Sequence, residues 1–269
     1  MTHIATAFPT TSTMGQANPA AIAPQRWAPA NLTHLARRFE KQSPQALLNW
    51  AAATFGQDLA MATGFGPSGV VLMHMVAEMN GAQRRAKPTI FYLQTDLLFP
   101  ETMTLRDRLR ERLGIHFVEV HSGLPLAEQA LRYGAELWKH SPNLCCQLRK
   151  VNPLRDFLAA KRAWITGIRR DQSSTRANAP LIMWDEANQL VKLNPLAGWS
   201  SDQIWTYIYQ HNLPYNALHD QGYPSIGCTM CTRAVQPGED ERAGRWAGIG
   251  KTECGIHIQP DGKVARTLQ

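Results

Sequence analysis

Ala62-Thr63-Gly64-Phe65-Gly66-Pro67-Ser68-Gly69 separates a short apolar run from a helix that is apolar almost all round. Leu59 to Phe65 reads as a buried strand, and the glycines and Pro67 break it. Val70 to Met79 then reads as a helix covering a sheet. Such a strand–glycine loop–helix junction aims free backbone amides and the positive helix end at an anion, commonly phosphate. No Gly-Lys-Ser/Thr follows, so the loop is not a Walker A loop. Taken alone such a turn is more often a structural connection; Gly66 and Ser68 are its candidate anion contacts.

Working outward, the same alternation repeats. Ser43-Pro44-Gln45 opens a helix with Ser as N-cap and Pro in its first turn, and Gly56 ends it. Thr89 to Leu93 is a second strand, followed by a helix from Phe99-Pro100 to Gly114. Ile115 to Val120 is a third strand, with a helix beginning near Pro125. Ala163 to Ile168 is a fourth strand and leads into Arg169-Arg170-Asp171-Gln172-Ser173-Ser174. Leu181–Trp184 and Gln189–Leu193 form a hairpin through Glu186-Ala187-Asn188. A helix starts at Ser200-Ser201-Asp202-Gln203. The expected fold is α/β with a mostly parallel sheet, its ligands lying outside the carboxyl ends of the strands. The glycine loop and Arg169-Arg170 both fall at such ends.

The organisation expected is a disordered lead over residues 1–30, rich in Thr, Ala, Pro and Gln, then an α/β nucleotide-binding domain over 31–213. Residues 214–269 form a loop-rich C-terminal segment with little apolar periodicity. A metal or cluster holding it to the body would supply what a core does not.

The 269 residues are 44% hydrophobic and 18% charged, as in ordinary globular proteins. No apolar run approaches the roughly 20 residues of a membrane span. No cationic segment followed by an apolar one marks the N-terminus for export, so a cytoplasmic protein without a membrane partner is expected. The net charge of +7 favours an anionic partner. The basic residues form no dense block, however. Arg106, Arg108, Arg110 and Arg112 spread around a helix and read as a solvated surface. A small, multiply charged anion gripped by a few arginines fits the charge as well as nucleic acid does.

Five cysteines without an export signal point to metal binding or catalysis rather than structural disulfides. Cys228-x-x-Cys231 suits a zinc site, but Cys145-Cys146 does not, because adjacent side chains leave the backbone on divergent vectors. A cubane cluster offers separate iron atoms, so neighbouring cysteines can each take one. Iron–sulfur is therefore favoured over zinc, with a vicinal disulfide as the remaining alternative. Cys254 is left over in a polar, glycine-containing tail near Lys251 and His257. Nearby cations stabilise a thiolate, so Cys254 reads as a nucleophile rather than a small buried hydrophobe.

Several longer motifs accompany these cysteines: Cys145-Cys146-x-x-Arg149-Lys150-x-x-Pro153-Leu154, Trp164-Ile165-Thr166-Gly167-Ile168-Arg169-Arg170-Asp171-Gln172-Ser173, Gly222-Tyr223-Pro224-Ser225-Ile226-Gly227-Cys228-x-x-Cys231-Thr232, Arg242-Ala243-Gly244-Arg245-Trp246 and Glu253-Cys254-Gly255-Ile256-His257. Together they resemble the assimilatory adenylyl-sulfate reductases, the iron–sulfur branch of the phosphoadenylyl-sulfate reductase family, from about residue 45 to 257.

The resemblance implies an adenine-nucleotide alpha-hydrolase-like sheet with a modified phosphate loop. It implies reduction of adenosine 5′-phosphosulfate to sulfite and AMP in assimilatory sulfate reduction and cysteine biosynthesis. It implies a [4Fe–4S] cluster on Cys145, Cys146, Cys228 and Cys231, and an S-sulfocysteine on Cys254 resolved by thioredoxin or a glutaredoxin. Lys150, Arg242, Arg245 and His257 are then expected on the sulfate and phosphate oxygens, with Arg169, Arg170 and Arg176 as weaker candidates. The adenine is expected near Phe65 and Leu93–Thr95. The family's loop often reads Ser-Ser-Phe-Gly-Ala-Glu-Asp, whereas residues 63–69 lack the carboxylates. Its usual Leu-Asp-Thr-Gly is here Leu93-Gln94-Thr95-Asp96. The 3′-phosphorylated substrate is the alternative, and a zinc-stapled nucleic-acid-binding protein a distant one. The oligomeric state stays open, a homo-oligomer being compatible with the sequence.

Overall fold

Period-two alternation along the strands sorts the core onto two faces of one sheet. The structure, a computed structural model, describes residues 27–79, 87–249, 251 and 253–257. The disordered lead expected over residues 1–30 therefore falls mostly outside the described residues. The strands are β1 (Leu59–Ala62), β2 (Thr89–Gln94), β3 (Phe117–His121), β4 (Ala163–Ile165), β5 (Ile182–Asp185) and β6 (Leu190–Leu193). They form a six-stranded sheet in the order β3-β2-β1-β4-β6-β5, parallel throughout except for the β5–β6 hairpin. The expected strands and the expected mostly parallel sheet are both present.

Leu59, Met61, Ile90, Tyr92, Ala163, Ile165, Val191 and Leu193 face the larger core. Helices α1 (Pro29–Phe39), α2 (Pro44–Phe55), α3 (Pro67–Ala77), α4 (Pro100–Leu113) and α9 (Ser201–Gln210) contribute to it. The residues between them in sequence, Ala60, Phe91, Trp164 and Leu190, point the other way, where Leu154 and Leu158 of α8 (Asn152–Leu158) cover them. Each fully buried Leu or Met contributes about 1.5–3 kcal/mol, so the larger face dominates stability.

Several boundaries differ from expectation by one to three residues, two of them at the glycine loop. β1 ends at Ala62 because the Thr63 hydroxyl accepts a hydrogen bond from the Phe65 amide at 3.0 Å and turns the chain. Helix α3 begins at Pro67 rather than Val70, since proline suits a first turn where its missing N–H has no partner to lose. The arginines of α4 are paired as a helix surface would be: Arg106 donates to Tyr92 and Glu119, and Arg110 pairs with Asp107.

Helices α5 (Leu126–Tyr133), α6 (Leu137–His140) and α7 (Pro142–Cys146) lead into a π-helical turn, Gln147–Val151, which runs directly into α8. Beyond residue 213 the described chain holds only 3₁₀ turns, at Ala217–Gln221 and Thr229–Cys231.

Candidate active site

The π-turn sets the site. A π-turn widens the helix by one residue and commonly marks functional positions. Here it lies between Cys145-Cys146, both buried, and α8, so one continuous segment carries the cysteine pair and Lys150. Arg149 locks it in place. Its guanidinium is 1% exposed and donates to Gln129 at 2.7 Å, to the Thr95 carbonyl and Asp96 at 3.0 Å each, and to the Leu124 carbonyl at 3.0 Å.

The loop after β2 also receives the second cysteine pair. Leu98 and Cys228 form an isolated β-bridge, and the Thr229 amide donates to the Leu97 carbonyl at 2.8 Å. The Thr95 hydroxyl lies 3.3 Å from the Cys228 sulfur. Thr232 and Arg245 form a further bridge, bringing Arg245 and Trp246 alongside. A Cβ at Gly227 would overlap the Arg245 guanidinium, so any larger residue there would displace that side chain.

Four thiols thus gather from two distant segments. Burial pushes the Cys145 thiol up to about 11, and Cys146, Cys228 and Cys231 add to the rise by repelling its negative form. Cys231 is raised by the same causes. At Cys228 burial also acts upward, but the charge of Lys150, the Thr95 hydrogen bond and Arg245 outweigh it and lower the thiol. Burial acts downward on Lys150, while Cys228 and Cys254 outweigh it and raise the ammonium. Among the described residues no three His, Cys, Asp or Glu side chains close on a single metal ion. The four cysteines nonetheless lie within electrostatic reach of one another, each thiolate form disfavouring the next. Four sulfur donors of this kind, two of them adjacent in sequence, suit the separate iron atoms of an iron–sulfur core.

Next to the cysteines a cavity of about 780 Å³ opens at the carboxyl ends of β1, β2 and β4. Gly64, Gly66 and Ser68 of the glycine loop line one wall, and Lys150, Arg242 and Arg245 line another. Arg169, Arg176, Cys254 and His257 also reach it. Arg169 donates to the Ser68 hydroxyl at 2.7 Å and to Asp171 at 2.9 Å. The candidate nucleophile, the glycine loop and five cationic side chains thus share one chamber.

Two expected contacts do not reach the cavity. Arg170 turns away, donating to the Ala179 carbonyl at 2.9 Å and pairing with Glu40 at the C-terminal end of α1, so its charge serves packing outside the site. Phe65 sits at φ 58° with its ring packed edge-on against Tyr92 and Phe117, 2% exposed, because the larger core claims it. Leu93 and Thr95 do line the cavity. Lys251 lies elsewhere, its ammonium donating to Asn143 at 2.8 Å.

Residues not singled out from the sequence hold the tail. Glu253 is buried, and its carboxylate accepts from Arg176 at 2.9 and 2.8 Å and pairs with Arg242 at 3.2 Å. Ile256 packs on the smaller core, and His257 stacks on Trp164 with ring centroids 5.8 Å apart. Lys192, fully buried on β6, lies 3.4 Å from His257 Nδ1. Glu253 is adjacent to Cys254, and Lys192 is a charge inside an apolar strand. Both signals stand in the sequence, but their partners lie 77 and 65 residues away.

Comparison with known proteins agrees with this geometry. Residues 58–234 match the phosphoadenosine phosphosulfate reductase domain family. The chain is 52% identical over 236 residues to the adenosine 5′-phosphosulfate reductase of Salinibacter ruber, covering 87% of this chain and 92% of that one. It is 44% identical over 229 residues to the phosphoadenosine 5′-phosphosulfate reductase of Gloeobacter violaceus, covering 84% and 93%. The crystal structure of a phosphoadenylyl-sulfate reductase from Candida auris, a phosphate complex, superimposes with a TM-score of 0.64 at 29% identity, over 77% of this chain and 97% of that one.

Proposed function

Because the chain belongs to the phosphoadenosine phosphosulfate reductase family, we propose that it reduces adenosine 5′-phosphosulfate to sulfite and AMP in sulfate assimilation. The observation that carries this reading is that Cys254 opens onto the same cavity as the glycine loop and the Lys150, Arg242 and Arg245 cations.

The Cys254 thiolate attacks the sulfate sulfur. The bond from that sulfur to the bridging oxygen breaks, its electron pair leaves with AMP, and Cys254 carries a sulfonate. A thiolate of thioredoxin or a glutaredoxin then attacks the Cys254 sulfur, and sulfite departs with the bonding pair. The reductant's second thiol resolves the mixed disulfide, so the reductant is oxidised by two electrons and Cys254 is restored.

A thiolate approaches an anionic sulfate only when the anion's charge is offset. Charge-assisted hydrogen bonds contribute about 1.5–3 kcal/mol each, against about 0.3–1 kcal/mol for a helix end. Lys150, Arg242 and Arg245 therefore carry most of the binding of the phosphosulfate, with Arg169, Arg176 and His257 around it. The α3 N-terminus, Gly66 and Ser68 orient it.

Cys145, Cys146, Cys228 and Cys231 would hold a [4Fe–4S] cluster, which would fix the C-terminal segment to the body and set the local charge. Lys150 and Arg245 act electrostatically on Cys228 and also line the cavity. Iron, acid-labile sulfide and visible thiolate-to-iron absorbance test the cluster; a colourless protein loaded with zinc would exclude it. Among the described residues no helix is long and apolar enough to cross a membrane, and we assign the enzyme to the cytoplasm.

The 3′-phosphorylated substrate is the second reading, favoured by the names of the Gloeobacter and Candida relatives. The all-sulfur donor set and the 52% identity to the Salinibacter enzyme favour the unphosphorylated one. Turnover on both substrates decides: higher kcat/KM on adenosine 5′-phosphosulfate is expected, and the reverse order would overturn the choice.

A further inference from the structure

Lys192 is out of place by every local rule. It lies in β6, Leu190-Val191-Lys192-Leu193, whose four residues are all buried, and its own side chain is 0% exposed. Alternation puts it on the same sheet face as Leu190, hence on the smaller core with Trp164, Phe91 and Ala60. A charged side chain in such a position is normally excluded unless paired, because removing an ammonium from water costs several kcal/mol.

Among the described residues Lys192 makes no ion pair, and its one hydrogen-bond partner is Nδ1 of His257, at 3.4 Å. Its ammonium stands 5.0 Å from the centroid of the Trp164 ring, on which His257 also stacks. Trp164 is fixed in turn, its indole N–H donating to Asp185 at 2.9 Å. Lys192 does not line the cavity, but His257 does, three residues after Cys254.

We infer that Lys192 is a positioning residue for the nucleophile-bearing tail: by donating to His257 Nδ1 over the Trp164 ring, it latches the C-terminal side of Cys254 and leaves Nε2–H as the histidine's donor to the cavity. Glu253 between Arg176 and Arg242 holds the other side. The two latches bracket Cys254, Gly255 and Ile256, so the thiol is offered to the chamber from both ends. Burial, then the charges of Lys192, Arg176 and Arg242, hold the His257 imidazolium well below its usual range, which keeps Nδ1 an acceptor. Burial likewise lowers the Lys192 ammonium to about 8, a cost the strand would not carry for packing alone.

The latch itself needs only the structure; its effect on the reaction rests on the function proposed above. The test uses the full-length, cluster-loaded protein with Lys192→Met, His257→Ala and the double variant. Met fills the lysine's volume and removes the buried charge, so Tm should equal or exceed that of the wild type.

Without substrate, amide hydrogen exchange in the peptide containing residues 253–257 should quicken at least tenfold in each single variant. The double variant should show no further increase, because both remove one contact. In single turnover with adenosine 5′-phosphosulfate, sulfonate formation on Cys254 should slow at least tenfold. Unchanged tail exchange in both single variants would overturn the latch, as would additive effects in the double variant or exchange rising equally through β4 and β6. Should Lys192→Met fail to fold, His257→Ala decides by the same exchange criterion. A wild type that forms no adduct while the exchange result holds would refute the proposed reaction and not the latch.

Discussion

Glu253 meets Arg176 in a two-point contact, Oε1 accepting from Nε at 2.9 Å and Oε2 from Nη2 at 2.8 Å, both side chains being buried. Arg242 reaches the same carboxylate at 3.2 Å. The residue next to Cys254, the proposed nucleophile, is thus fixed by two of the cations that line the cavity.

Removing that carboxylate leaves two buried guanidinium groups facing each other. Breaking a buried pair in this way costs about 3–5 kcal/mol. Glu253→Ala should therefore lower Tm and slow sulfonate formation at Cys254 by at least tenfold. Calorimetry and single-turnover mass spectrometry check the two effects, and a variant with normal adduct kinetics would show that the clamp does not place the thiol.

Lys150 lies on the segment that carries Cys145 and Cys146 and also lines the chamber. Losing its charge-assisted contact should cost about 1.5–3 kcal/mol, or roughly 10- to 100-fold in substrate affinity. Lys150→Ala should also alter the visible spectrum of the iron–sulfur protein. If neither KM nor the spectrum changes, the link between thiolate charge and substrate anion is absent.

Gly255 has φ +91°, and a Cβ would stand 3.1 Å from Val151 Cγ2 on the π-turn. Backbone strain of this kind costs of order 1–3 kcal/mol. Gly255→Ala should lower Tm modestly and slow sulfonate formation, because the strain falls on the tail and on its contact with Val151. A wild-type rate would place Gly255 outside the alignment of Cys254.

Lys192 gives the protein a pH signature. Its folded-state pKa, lowered by burial to about 8, lies below the ordinary lysine value of 10.5, so between those values the unfolded chain binds more protons than the native one. Stability should therefore rise with pH across that window, by about 3 kcal/mol in total, and be lost again as pH falls through 8. Asp185, Glu253 and Cys254 act upward on the lysine and Arg176 acts downward, while His257 stays neutral. Denaturant titrations at pH 7.5 and 10.5 should show the rise in wild type and not in Lys192→Met; equal slopes would contradict it.

Local chemistry explains what could be read in advance. The strands, the β5–β6 hairpin and the proline-led helices follow from alternation and capping, so Leu59, Thr89 and Ser43 announce them. The cysteine spacings mark the sulfur site, and the structure brings Cys145, Cys146, Cys228 and Cys231 into mutual electrostatic reach. Contacts decided by distant partners are not legible. Arg169 and Arg170 are neighbours in sequence, yet one bonds Ser68 at the glycine loop and the other Glu40, just past α1. Phe65 is drawn into the core by Tyr92 and Phe117, which no local pattern reveals. The π-turn depends on Arg149 finding Gln129, Thr95 and Asp96, and the tail clamps close loops of 65 and 77 residues.

The most direct measurement is intact-protein and peptide mass spectrometry after mixing the reduced, cluster-loaded protein with adenosine 5′-phosphosulfate in the absence of any external thiol. A single sulfonate on Cys254 is predicted, with stoichiometric release of AMP, and added thioredoxin should discharge it as sulfite. A sulfonate on another cysteine, or AMP release with no adduct on the protein, would contradict the account.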